Sequence, residues 1–191
     1  MKVQLVLAIS CLLSFTACNN ANRSPKAISN TEVLERAGKA PGMNAGSGRF
    51  TVATPAGWTK TDTVVSHVHY TFLKGPMSAD SLFQVNVNIV SQQVKEGVTV
   101  DDYMEGTESQ MESIFDNYKK LDTGERPVTG VTAKWLKYRF SNNDASLWLS
   151  GQISVLVKNN ITYVVTLTTP ADELEKYSPV LDTILDSFVA N

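Results

Sequence analysis

The chain holds only two histidines, His67 and His69, and they stand two residues apart. In an extended strand that spacing sends both rings to one face, where neutral imidazole nitrogens can serve as metal ligands. A complete site would need a further donor, such as Asp62 or Glu105. Two solvated histidines on a polar strand is the plainer alternative. Nucleophilic catalysis has no support: there is no Gly-x-Ser-x-Gly elbow, and no histidine outside this one short segment to serve as a base. No glycine-rich phosphate loop follows a strand. These residues therefore point to binding and not to an enzyme, with no cofactor expected.

A second set of side chains is brought together by period-two alternation. Over 131–141, Leu136, Tyr138 and Phe140 point one way and Trp135, Lys137 and Arg139 the other. Over 145–157, Leu147, Leu149, Ile153 and Val155 oppose Trp148, Ser150, Gln152 and Ser154. Indoles among cationic and amide groups are what a recognition surface uses. Trp135, Lys137, Arg139, Trp148 and Gln152 are thus the candidate partner-binding residues, the partner being another envelope protein or a small ligand. The alternation also implies one dry and one wet sheet face, with the two histidines beside the tryptophans on the wet one.

These side chains need a frame. Strands are expected near 49–54, 66–74, 81–91, 119–125, 131–141, 145–157 and 160–168. Asn142-Asn143-Asp144 and Lys158-Asn159-Asn160 read as hairpin turns, since Asn tolerates left-handed backbone. The last three strands then form an antiparallel meander. Strand 160–168 is apolar on both sides, so part of the second face is expected to be covered. A helix over 100–118 opens on a Thr99/Asp102 capping box and carries Val100, Tyr103, Met104, Met111, Ile114, Phe115 and Tyr118 on one stripe. A second over 170–189 is expected to start with Thr169 as cap and Pro170 in the first turn. Pro179 is expected to interrupt it.

Composition agrees with one packed domain. The chain has 191 residues, 42% of them hydrophobic, and a formal charge of −2. A nucleic-acid binder would carry a basic excess that is missing here. The two cysteines, Cys11 and Cys18, are too few for a disulfide scaffold.

The first residues read as an address. Met1-Lys2 is followed by an apolar run from Val3 to Leu13, too short to span a bilayer and built like a secretory signal. Ser14-Phe15-Thr16-Ala17-Cys18 resembles the lipobox of bacterial lipoproteins. The resemblance implies a signal peptide over 1–17, cleavage before Cys18, and lipidation of that cysteine. Membrane association would then run through the lipid anchor. Asn19-Asn20 lack the Asp that would suggest inner-membrane retention, so the expected location is the outer membrane of a Gram-negative envelope, facing the periplasm. Residues 18–48 are rich in Asn, Ser, Ala, Gly and Pro and read as a tether. The folded domain is expected over 49–191.

The element order carries a further likeness. Arg49-Phe50-Thr51-Val52 leads to Pro55-Ala56-Gly57-Trp58. Val85-Asn86-Val87-Asn88-Ile89 precedes an acidic amphipathic helix, and Ile161-Thr162-Tyr163-Val164-Val165-Thr166-Leu167 precedes a closing helix that ends in Ile184-Leu185-Asp186-Ser187-Phe188. This resembles the PsbP/Mog-like fold, including bacterial lipoproteins of the PsbP-related and DcrB-like kind. The resemblance implies an α+β fold, with an antiparallel sheet of six to seven strands and two main helices in an α/β/α sandwich. It also implies a generally non-enzymatic role, and transfers no site residue.

Overall fold

The computed structural model describes residues 50–65, 68–141 and 147–190. The signal segment, Cys18, the tether, His67 and the Asn142-Asn143-Asp144 turn lie outside the described residues. In chain order the elements are β1 (Phe50–Thr51), β2 (Thr59–Val65), β3 (Val68–Met77), β4 (Gln84–Gln93), α1 (Val100–Ile114), β5 (Asp116–Val128), β6 (Val131–Ser141), β7 (Trp148–Lys158), β8 (Ile161–Pro170), α2 (Leu174–Asp186) and β9 (Val189–Ala190). β2 to β8 build a seven-stranded antiparallel sheet in the order β2-β3-β4-β8-β7-β6-β5, and β1 pairs with β9 in a small separate ribbon. The expected α+β class and strand number are met.

Local chemistry explains most boundaries. Asn159 and Asn160 both take positive φ, 54° and 58°, so the expected β7–β8 hairpin forms with the turn type that suits strand twist. Thr129 and Gly130 do the same between β5 and β6, with φ of 48° and 81°. At the start of α1 the capping box is complete. The Asp102 N–H donates to Thr99 Oγ1 at 3.2 Å, and the Thr99 N–H donates to Asp102 Oδ2 at 2.9 Å.

Three expectations are corrected. α1 stops at Ile114, not 118, because Phe115 is already extended and Asn117 turns the chain with φ of 51°. α2 starts at Leu174, and Thr169 is not its cap: Thr169 and Pro170 end β8, and the Thr169 hydroxyl donates to the Pro170 carbonyl at 2.9 Å. Pro179 sits inside α2 without ending it. The strand β2 was not expected at all.

Side chains opposite each other across a ladder share a face, so the registers assign every strand. Val85, Val87 and Ile89 of β4 join Tyr163, Val165 and Leu167 of β8 beneath α2, which contributes Leu174, Tyr177, Leu181, Ile184 and Leu185. On the other face, Leu136, Tyr138 and Phe140 of β6 join Leu149, Ile153 and Val155 of β7 beneath α1, with Tyr103, Met111 and Phe115. The apolar side of β4 is therefore opposite to the apolar side of β6. The expected single wet face does not exist. Each face is dry under its own helix, and the polar side of β6 and β7 lies on the α2 face, beside that helix.

Candidate functional site

The five residues singled out by alternation do come together. Trp135, Lys137 and Arg139 leave β6 on the α2 face, and opposite them on β7 stand Ser154, Gln152 and Ser150. Trp148 faces Ser141 one step further along. Trp135 can lie against the sheet because its partner on β5 is Gly124; a Cβ there would fall on the indole ring. The Lys137 ammonium sits 5.8 Å from the Trp135 ring centroid, and the Arg139 guanidinium sits 4.8 Å from that of Trp148. Both are cation–π distances.

Exposure divides the group. Trp148 is 38% exposed, the largest exposure among them, whereas Gln152 is buried at 6%. Trp135, Lys137 and Arg139 lie between. The Arg139 Nε is buried and has no hydrogen-bond partner among the described residues.

α2 supplies a wall. Lys137 Nζ donates to Glu175 Oε1 at 2.7 Å, and Arg126, from β5, pairs with Asp182 and with Asp186, the latter at 2.5 Å. A groove of about 370 Å³ results, lined by Arg126, Trp135, Lys137, Gln152, Glu175, Ser178 and Asp182. A second of about 360 Å³ lies at the other end of the strip, between Arg139 and Trp148 and the acids Asp80, Asp172 and Glu173. Asp80 is held below its ordinary pKa by the Ser78 hydroxyl and the Leu82 N–H, so it is a firm anion at the edge of that groove.

Sequence alternation did not bring in Arg126 or the acids of α2. The signal was present: Glu175, Asp182 and Asp186 follow one another at seven and four residues, a single helical face. Only the pairing of that face with β5 and β6 was hidden.

Of the candidate metal ligands, His67 lies outside the described residues. His69 is exposed on β3, with Asp62 on the neighbouring β2, where Asp62 accepts the Thr71 hydroxyl at 2.6 Å. β4, β8 and β7 stand between β3 and β6, so His69 is not beside the tryptophans. Glu105 rides on α1, over the opposite face. Among the described residues no three His, Cys, Asp or Glu side chains converge to hold a metal.

The strongly shifted tyrosines belong to packing. Burial pushes Tyr70 up to about 12 and Tyr103 further still; Tyr118 is raised by burial first and then by Glu108 and Glu112. Tyr103 and Tyr118 pack on the α1 side, away from the strip.

The family profile described as DcrB matches residues 52–187. No curated protein is a significant match to the sequence. Among solved structures, a protein of unknown function from Pseudomonas aeruginosa is 16% identical, with a TM-score of 0.56 over 75% of this chain and 99% of its own. LpqN from Mycobacterium tuberculosis, described as involved in cell envelope biogenesis, is 12% identical, with a TM-score of 0.58 over 78% of this chain and 86% of its own. Cyanobacterial PsbP from Synechocystis is 16% identical, with a TM-score of 0.47 over 77% of this chain and 94% of its own.

Proposed function

Because the chain belongs to the DcrB family, we propose that it is a lipid-anchored envelope protein that works by binding and not by catalysis. Its partner is another envelope protein, which docks on the indole–cation strip of β6 and β7. The observation that carries this reading is the pairing of exposed Trp148 with Arg139, whose buried Nε lacks a hydrogen-bond partner among the described residues. Stacked Arg and Trp are the residue types that dominate binding energy at protein interfaces. The description of LpqN, which has the same fold, supports placing the protein in the cell envelope. Cys18 provides the anchor, and its acyl chains give stable attachment to the outer membrane where a single chain would not.

A photoreactive residue at position 148, introduced in native membranes, tests the docking surface. A discrete adduct is expected, lost on Arg139→Ala. An adduct no stronger than that from position 132, which lies on the α1 face of β6, would remove the strip as the docking surface. Cys18→Ser is expected to abolish labelling by radioactive palmitate, and persistent labelling would remove the anchor.

A further inference from the structure

The sheet face that carries α1 is covered further than α1 reaches. Phe72 of β3 is opposite Asn88 of β4, and Val90 of β4 is opposite Val164 of β8, which belongs to the cluster under α1. All of these side chains therefore point to that face. Phe72 is 3% exposed, Asn88 4% and Val90 1%. Phe72 and Val90 belong to neither core cluster. The two helices among the described residues are engaged elsewhere, α2 on the opposite face and α1 on β5, β6 and β7. Thr59 and Thr61 of the edge strand β2, on the same side as Phe72, are exposed, so the cover ends at β3.

We infer that residues 30–37 of this chain are a short amphipathic strap that docks over β3 and β4, beside α1. The first ground is size. Two strands at about 4.8 Å each make a strip about 10 Å wide, the width of one helix.

The second ground is where the remaining chain lies. Ahead of Asn191, residues 1–49, 66–67 and 142–146 are outside the described residues. Residues 66–67 only join β2 to β3, and 142–146 join β6 to β7, with β8 between that hairpin and β4. Of the three, 1–49 alone is long enough to lie along both strands. It ends at Phe50, which pairs with Ala190 and packs edge-on against Tyr163. Tyr163 is opposite Ser91, the residue after Val90 on β4. The chain thus enters the domain one rung from the covered patch, on the other side of the sheet. Residues 38–49 can extend about 40 Å, enough to round the end of β8.

The third ground is pattern. Ser29 and Glu32 have capping-box spacing, Val33, Leu34 and Ala37 fall on one helical side with Glu35 and Arg36 on the other, and Gly38 suits the helix end. A docked strap shortens the tether. With the anchor proposed above at Cys18, the free run to Ser29 spans about 18 Å root-mean-square, against about 30 Å for 18–48 as a loose coil.

The test uses the full chain, purified from membranes in detergent, with 4-fluorophenylalanine at position 72. Its fluorine resonance is expected to be unaffected by exchange of H2O for D2O, and to become sensitive in Leu34→Asp, a change outside the folded domain. Benzophenone at position 34 is expected to crosslink within the chain to the peptide that holds Phe72 or Val90, at least fivefold less with Val33→Asp. A solvent-sensitive fluorine without the substitution would mean an open face and would overturn the inference. So would a fluorine that stays protected in Leu34→Asp, or a crosslink that forms only with a second copy or with another part of the domain. Cys18→Ser is expected to leave the crosslink unchanged, so a failed anchor removes the membrane spacing alone, and a failed crosslink removes the strap.

Discussion

Gly124 carries more of the site than its size suggests. The Trp135 indole occupies the space where a Cβ at position 124 would sit, and similar pairs are formed by Gly151 with Tyr138 and Gly75 with Trp58. Each ring lies flat because the opposing residue has no side chain. Gly124→Ala should force Trp135 off the sheet and cost about 1–3 kcal/mol, the usual penalty for overpacking. A red shift in Trp135 emission and a lowered urea midpoint are expected together; an unchanged midpoint would mean the ring moves freely. Asp102 offers a second residue-scale test. Its carboxyl is held below the ordinary 3.8 by the Thr99 hydroxyl and then the Thr99 N–H. A group whose folded pKa is depressed adds stability above its unfolded pKa, and that stability disappears as pH falls through the folded value. Asp102→Asn should therefore lower stability at pH 6 and change it little at pH 2, as read from thermal melts at the two pH values. An equal loss at both would assign the effect to packing.

At the scale of elements, turns and caps were legible where a residue type has one use. Asn159-Asn160 and the Thr99/Asp102 box could be placed because few alternatives suit them. Substituting Val at position 160, where φ is 58°, should cost about 1–2 kcal/mol, the price of a β-branched residue in left-handed backbone; denaturant melts would show it, and no loss would mean that the turn changes type. Alternation was also legible within each strand. It places Trp135, Lys137 and Arg139 together, and Gln152 with Trp148. What alternation lacks is a common sign between strands. Whether the apolar side of β4 matches that of β6 depends on turn lengths and ladder registers, and those put them on opposite faces. β2 and β5 were missed or shortened for another reason. They are the edges of the sheet, where water satisfies one side, so their polar sequences lack the hydrophobic pattern of a strand. Pro170 misled in turn: it resembles a helix opener, yet it fits at the last rung of β8, opposite Leu149.

Seen whole, the protein has two cores joined by one sheet. The cluster under α2 and the cluster under α1 share strands but no side chains, since β8 sends Val165 to one and Val164 to the other. This arrangement frees the polar side of β6 and β7: α2 covers β4 and β8, leaving the strip beside it as floor and its acidic face as wall. It also predicts how damage spreads. Ile184 in α2 and Ile153 in β7 are both buried, in different clusters on opposite faces. Ile184→Val and Ile153→Val should each cost about 0.5–1.5 kcal/mol. With no partner shared, the double variant should lose the sum to within about 0.5 kcal/mol, in one transition with an unchanged denaturant slope. A larger coupling would mean that strain crosses the sheet, and then occupancy of the groove on the α2 face would be felt by the core beneath α1. Additivity would instead confine the effect of a docked ligand to α2, β5, β6 and β7.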